Sequence, residues 1–178
     1  MSEYGILTDN VGKLGSMYYY YYMIAAFRIL RFDTIDYFSK KFLSKTSGEN
    51  SDNLRNFTDA MNEFGRGNFS EALRRISMMK QVSVFINFFI REFKSFCFYE
   101  LNELQLFESE HKTLYHLLKK HQLHFPKMKE ELDFQFRTVR YLFSLREKFE
   151  FSLFKKLEQS IPKSRIWLLQ KLKEIHED

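Results

Sequence analysis

The chain has 178 residues, with 28 Lys and Arg against 23 Asp and Glu, so its formal net charge at pH 7 is +5. Apolar residues make up 44% of it and there are only 6 Gly and 2 Pro, which excludes collagen-like, linker-rich and disordered chains. A chain of this length buries enough surface to fold without a metal or a disulfide, and we predict one domain over 1–178.

The aromatic content is high: 21 Phe, 10 Tyr and 1 Trp make 18% of the chain. Each aromatic side chain buries a large area, so this chain has more apolar surface than one small core needs. The excess indicates a second buried surface, formed with a partner helix, a second copy of the chain or an apolar ligand. The alternative is that the Phe residues fill ordinary core positions, since cores tolerate any apolar set of the right volume.

Residues 1–15 lack the basic region followed by an apolar stretch that marks a secretory signal, and we predict a flexible segment there. The apolar run that starts at Met17 ends at Arg28 and is too short and too rich in tyrosine to span a bilayer. Cys97 is the only cysteine, so no intrachain disulfide can form, which favours a reducing compartment. We therefore predict a cytoplasmic protein without a membrane span.

The first predicted helix begins at Ser16, a suitable N-cap residue. It extends as far as a loop predicted over 46–52, with a restart at Asp33. A short amphipathic helix follows over 53–64, and Gly65 stands in the C′ position that ends a helix.

The next helix is predicted to begin at Asn68, with Glu71 three residues later as the partner of a capping box. From there to Phe125 the sequence contains neither Gly nor Pro. The middle of this stretch is apolar nearly all round, which predicts a buried, Phe-rich central helix. Its main apolar stripe is Val82, Ile86, Phe89, Phe93 and Phe96. We place a break near 108–110, before a more polar helix.

Pro126 suits the first position of a helix, and no breaker follows it for about 34 residues, until Ser160. We predict one long helix over 127–160 and a last short helix over 164–178. The apolar side of the last helix carries Ile166, Leu169, Leu172 and Ile175. The whole pattern predicts a single all-α bundle or array of five to seven helices.

The segment AMNEFGRGNFSEALRRISMM resembles the turn of a tetratricopeptide-type repeat. Ala60, Gly67, Phe69 and Ala72 have the spacing at which small and aromatic residues let two helices pack closely. The resemblance covers one repeat of about 34 residues. The aromatic residue expected early in the first helix is missing and no second copy follows. The resemblance implies a tight αα-hairpin and makes a helical adaptor or chaperone a candidate.

Four of the five histidines fall within 14 residues: His111, His116, His121 and His124. The segment LYHLLKKHQLHFPKM resembles the proximal-helix region of globins and sensor globins, although no matching distal motif is present. The resemblance implies His116 or His121 as the axial ligand of a haem in a Phe-rich pocket. The same histidines, at helical spacing, suit zinc as well. Solvent-facing histidines near a helix C-terminus are the simplest alternative, since partial negative charge there suits them.

One side of the predicted long helix carries bases interleaved with aromatic residues: Arg137, Arg140, Tyr141, Lys148 and Lys155. Bases that contact phosphates and rings that stack on nucleobases are typical of proteins that bind single-stranded nucleic acid. A second helix-packing face with snorkelling basic side chains has the same composition. Nucleic-acid binding is our second hypothesis, and it predicts an affinity that falls steeply with salt.

No catalytic arrangement is recognisable in the sequence, which has no Gly-rich phosphate loop and no Gly-x-Ser-x-Gly elbow. Our leading hypothesis is a non-enzymatic helical interaction module without a cofactor. It would be an adaptor, a chaperone-like protein or a small complex subunit that binds another protein or itself through aromatic-rich helix faces. The predicted interface residues are Arg146 and Glu150, an i, i+4 pair on the apolar side of the long helix, and Trp167 on the last helix.

Overall fold

The computed structural model describes residues 14–47, 51–121 and 126–177. These ranges contain nine α-helices, which confirms the all-α class but exceeds the predicted five to seven. Within the same ranges we find no helix with the length and apolar character that crossing a bilayer requires. The helices are α1 (Ser16–Arg28), α2 (Phe32–Phe42), α3 (Ser51–Gly65), α4 (Phe69–Ser77), α5 (Val84–Glu100), α6 (Leu104–His121), α7 (Pro126–Glu147), α8 (Phe151–Ser160) and α9 (Ile166–Glu177).

Two very short strands pair in parallel, β1 (Leu14–Gly15) and β2 (Thr46–Ser47). β2 directly follows a 3-10 turn over Leu43–Lys45. The pairing joins the end of the predicted N-terminal segment to the start of the predicted loop. Residues 1–13 and 48–50 lie outside the described residues. The prediction of a loop is wrong for Ser51 and Asp52, because these two residues already belong to α3.

The contacts divide the chain into two compact units, Met1–Asn87 and Phe88–Asp178, with the boundary inside α5. Each unit buries its own aromatic side chains, among them Phe57 in the first and Phe107 in the second. The prediction of a single domain stays a prediction.

A sharp turn at Leu30 separates α1 from α2, close to the predicted restart at Asp33. Leu30 has a φ of 55°, and the backbone amide of Arg31 donates to the carbonyl of Ala26 at 2.9 Å. This is the hydrogen bond of a Schellman motif, in which glycine usually takes the left-handed position. The restart is confirmed, with α2 beginning one residue earlier than predicted.

α3 and α4 pack against each other more extensively than any other described pair of helices. Ala60 and Ala72 are completely buried, as a close approach of two helix backbones requires. The tight αα-hairpin that the tetratricopeptide-like turn implied is therefore confirmed.

Gly67, rather than Gly65, ends α3. Gly67 has a φ of 80°, and the amide of Asn68 donates to the carbonyl of Glu63 at 2.9 Å, so Gly67 occupies the C′ position. Gly65 is the last helical residue, and a Cβ atom built on it would lie 2.5 Å from Cγ of Phe32. The prediction of Gly65 at C′ is wrong, because this glycine instead lets Phe32 approach the backbone of α3.

The predicted capping box at Asn68 does not form. Asn68 is the N-cap residue of α4, but its side-chain amide donates to the carboxylate of Glu63 at 2.7 Å. Glu71 accepts hydrogen bonds from Arg74 and Arg75 at 2.5 and 2.8 Å. Because both members of the box have other partners, the predicted reciprocal cap is wrong.

The stretch without Gly or Pro, which begins at Asn68, is interrupted after α4 by a linker over 78–83. Gln81 in this linker has a φ of 52°. Asn53 of α3 holds the linker, because its side chain donates to the carbonyl of Lys80 at 2.6 Å and accepts from the amide of Lys80 at 3.0 Å. These two bonds satisfy backbone groups that lie outside any helix.

The Phe-rich helix predicted in the middle of the chain corresponds to α5. Its side chains are buried nearly all round, with Phe93 completely buried. The next break follows at 101–103, where Asn102 has a φ of 59°. The prediction of a break near 108–110 is wrong, since those residues lie inside α6.

The predicted long helix over 127–160 is two helices, α7 and α8. Glu150 between them is extended, with φ −127° and ψ 110°. The break lets α8 contact both α7 and α9, and it lets Phe154 stack on His176 with 4.9 Å between ring centroids. The prediction of one helix is wrong because tertiary packing outweighs a local sequence without Gly or Pro.

The contact between Gly65 and Phe32 gives a prediction about stability. Gly65→Ala should lower the free energy of unfolding by about 1 to 3 kcal/mol, because the new methyl group clashes with Cγ of Phe32. In a Phe32→Ala background the same change should cost clearly less, since the ring atoms are gone and only Cβ of residue 32, at 3.0 Å, remains close. Urea unfolding followed by circular dichroism measures all four proteins. Equal costs of Gly65→Ala in both backgrounds would contradict this explanation.

Candidate interaction surface

The outer side of α1 is a surface of exposed tyrosines. Tyr18, Tyr21 and Tyr22 have 51%, 45% and 41% of their area exposed, and Met17 and Ile29 are exposed as well. On a helix that advances about 100° per residue, these positions fall on one side. We define the tyrosine face as these five residues.

The opposite side of α1 is buried in the first unit. Tyr19 and Met23 are completely buried, and the Tyr19 hydroxyl lies 2.8 Å from Oγ1 of Thr58 on α3. Thr58 donates its own proton to the carbonyl of Leu54, so Tyr19 donates to Thr58. Burial raises the pKa of Tyr19 to about 12, which keeps this donor protonated. The hydrogen bond fixes how α1 is rotated, and so which tyrosines face outward.

Two rings of the tyrosine face are supported from behind. Tyr22 stacks on Phe38 of α2 with 3.8 Å between ring centroids. Tyr21 meets Phe85 edge-on at 5.0 Å. Supported rings lose little conformational freedom when a partner binds, so less of the binding energy is spent on ordering them.

The tyrosine face carries almost no charge. α1 contains no Asp or Glu, and its one base is Arg28 in the last turn. The next base, Arg31, is paired with Asp33 through hydrogen bonds of 3.0 and 2.9 Å, which lower the pKa of Asp33 to about 2. Surface helices normally place several charged residues outward, so an aromatic side with one base at its end suits a partner better than water.

Arg146 and Glu150 do not form the predicted pair. The guanidinium of Arg146 donates to the carbonyl of Tyr99 at 2.9 Å and lies 4.2 Å from the centre of that ring. Glu150 precedes α8 and accepts from the hydroxyl of Ser152. The i, i+4 pairing is wrong because the chain leaves the helix between the two residues. Arg146 instead connects α7 to α5 inside the second unit.

Trp167 lies in the core of the second unit. It is only 5% exposed, it stacks on Phe96 with 4.3 Å between ring centroids, and its Nε1 donates to Glu100 at 3.0 Å. Lys171 pairs with the same carboxylate at 2.8 Å. α9 therefore buries Trp167 and Lys171, whereas Ile166, which the sequence places on the apolar side, is exposed. The indole offers almost no surface to a partner.

The break between α7 and α8 divides the predicted basic stripe. Arg137, Arg140 and Tyr141 are exposed on one side of α7. Lys148 follows the end of α7, and Lys155 lies on α8. Arg140 and Lys155 are each paired with a glutamate, at 3.5 and 2.7 Å. Three of the five residues thus share a helix face, while the two lysines lie beyond the break.

The described histidines of the cluster do not converge. His111 is half-buried and stacks on Phe136, while His116 is exposed and His121 ends α6. His124 lies outside the described residues. Within 14–47, 51–121 and 126–177, no group of three or more His, Cys, Asp or Glu side chains is placed to hold a metal ion. Haem ligation by His116 or His121 stays a prediction.

The sequence interpretation did not identify the tyrosine face as a site. Five consecutive tyrosines follow Met17, and their order does not reveal which of them point outward. The signal in the sequence that could have revealed this face is the absence of charged residues from Ser16 to Phe27. A helix at the surface of a small unit has one side in solvent, so a helix without charges must expose apolar or aromatic residues there. The rotation that selects Tyr18, Tyr21 and Tyr22 depends on contacts with α3, which are distant in sequence.

Comparisons with known proteins add no relative. No family model matches the chain, and neither a curated protein nor a solved structure resembles it significantly.

His111 gives a prediction about pH. Burial lowers its pKa from the ordinary value of 6.5, with a smaller opposing effect of Asp133. The imidazole of His111 therefore binds a proton more strongly in the unfolded chain than in the folded chain. As a result, the free energy of unfolding should fall as the pH drops from about 7.5 to 5.5. His111→Gln should flatten this dependence, whereas His116→Gln, at an exposed position, should leave it unchanged. Identical slopes for the two variants in urea unfolding would contradict the assignment.

Proposed function

We propose that this chain is a non-enzymatic protein-interaction module that binds another protein, or a second copy of itself, through the tyrosine face. An adaptor or a subunit of a small complex fits this description. The observation that supports the proposal is the exposure of Tyr18, Tyr21 and Tyr22 on a side of α1 on which Arg28 is the one charged residue.

The chemistry of tyrosine favours a protein partner. Tyrosine combines a large apolar ring with a hydroxyl that can donate or accept, and it is enriched in the centres of protein interfaces. The tyrosine face presents three such rings beside the apolar side chains of Met17 and Ile29. Charged residues are depleted at interface centres, and this surface has none before Arg28.

Photo-crosslinking tests the proposal. A photo-reactive amino acid at position 18 should give a discrete crosslinked product in the protein's own host. Sedimentation of the purified protein then measures its oligomeric state, which distinguishes binding to a second copy from binding to a different protein. Adding Ile29→Arg on the same side should lower the yield about tenfold, because binding would bury an unpaired charge.

Tyr115 provides the matched control, because it is an exposed tyrosine on α6. The photo-reactive residue at position 115 should give no discrete product. Equal products at positions 18 and 115, or none at position 18, would contradict binding through the tyrosine face.

Nucleic-acid binding by the second unit is the second candidate. The observation that favours it is the exposure of Arg137, Arg140 and Tyr141 on one side of α7. It differs from the first candidate because binding would use this side of α7 instead of the tyrosine face. Its affinity would also fall steeply with ionic strength, since phosphate contacts are screened by salt while apolar contacts are not.

A further inference from the structure

A groove of about 670 Å³ opens in the first unit, beside the start of α1. This volume lies within the range of roughly 300 to 1,000 Å³ that small-molecule sites occupy. Its lining combines polar groups with the apolar side chains of Met17, Val82 and Ile86. It is separate from the outward rings of Tyr18, Tyr21 and Tyr22, although Met17 borders both surfaces.

Three helices contribute their first turns to this groove. Ser16 and Met17 begin α1, Asn53 is the third residue of α3, and Ile86 is the third residue of α5. The backbone amides of a helix's first turn carry partial positive charge and are the usual binding groups for anions. Three helix N-termini at one groove add their fields.

Little negative charge offsets these helix ends. The first turns of α1 and α5 contain no acidic residue. The first turn of α3 contains Asp52, which is not among the residues that line the groove. Gly15, the N-cap residue of α1, has no side chain that could cap that helix.

Tyr20 supplies an independent indication of a ligand. It lines the groove and is only 9% exposed. Its hydroxyl makes no hydrogen bond to any described residue. Burial, with a smaller effect of Tyr19, raises the pKa of Tyr20 to about 12, so the hydroxyl keeps its proton and can donate it.

The linker on one side of the groove is already ordered. Asn53 uses both ends of its amide to hold the backbone of Lys80, and the Ser83 hydroxyl accepts from the amide of Ile86 at 3.3 Å. A ligand would therefore meet a wall that needs no further ordering, which lowers the cost of binding.

We propose that this groove binds a small organic phosphate. Its phosphate would accept hydrogen bonds from the Tyr20 hydroxyl and from the first-turn amides of α1, since the amide of Ile86 already donates to Ser83. Its organic group would pack on Met17, Val82 and Ile86. This binding activity is additional to the proposed protein interaction and does not depend on it.

Phenyl phosphate is the probe that tests the proposal, titrated into the full-length protein and followed by amide chemical shifts. We expect saturable shifts at Ser16, Met17 and Ile86. Tyr20→Phe removes only a hydroxyl and should weaken binding about tenfold, since it deletes a hydrogen bond to a charged group. Tyr18→Phe, the same change on the outer side of α1, should bind like the wild type.

Three results would overturn the proposal. The first is the absence of saturable shifts up to about 10 mM phenyl phosphate, a concentration beyond which binding is too weak to be specific. The second is equal affinity of the Tyr20→Phe and Tyr18→Phe variants. The third is equally tight binding of benzyl alcohol, because a neutral ligand gains nothing from three helix N-termini.

Discussion

The hydrogen bond from Tyr19 to Thr58 is the contact on which the arrangement of the first unit depends. α1 is apolar on every side, so burial of apolar surface alone fits several rotations of the helix about its axis. A buried hydroxyl without a partner costs about 1 to 3 kcal/mol, and only one rotation brings Tyr19 to the oxygen of Thr58. The same rotation turns Tyr18, Tyr21 and Tyr22 outward and places Tyr20 beside the groove. Both proposed binding surfaces are thus consequences of one buried polar contact.

Helical periodicity and glycine placement predicted much of the fold. The restart near Asp33, the αα-hairpin and the Phe-rich α5 follow from signals within a few residues of one another. The missed breaks have another origin. Gln81 and Asn102 take left-handed conformations that usually mark glycine, and the turn after Glu147 has no local signal. In these places tertiary contacts outweigh local propensity.

The sites were less predictable than the fold, because their chemistry depends on which way a side chain points. Trp167 and Arg146 have the residue types of binding hot spots. The structure buries Trp167 in the second unit beside Glu100, whereas Arg146 contacts Tyr99 but stays exposed. Neither partner lies near them in sequence. The tyrosines of α1 illustrate the same limit, since adjacent identical residues become core or surface according to a contact with α3.

The rotation of α1 is tested most directly by tyrosine nitration of the folded protein, read residue by residue by mass spectrometry. Nitration by tetranitromethane needs an accessible ring and proceeds through the phenolate, which the raised pKa of Tyr19 also disfavours. The rotation of α1 set by Tyr19 predicts rapid nitration of Tyr18, Tyr21 and Tyr22, with Tyr19 protected until the protein unfolds. Nitration of Tyr19 at the rate of Tyr18 would show a different rotation of α1 and would contradict the tyrosine face.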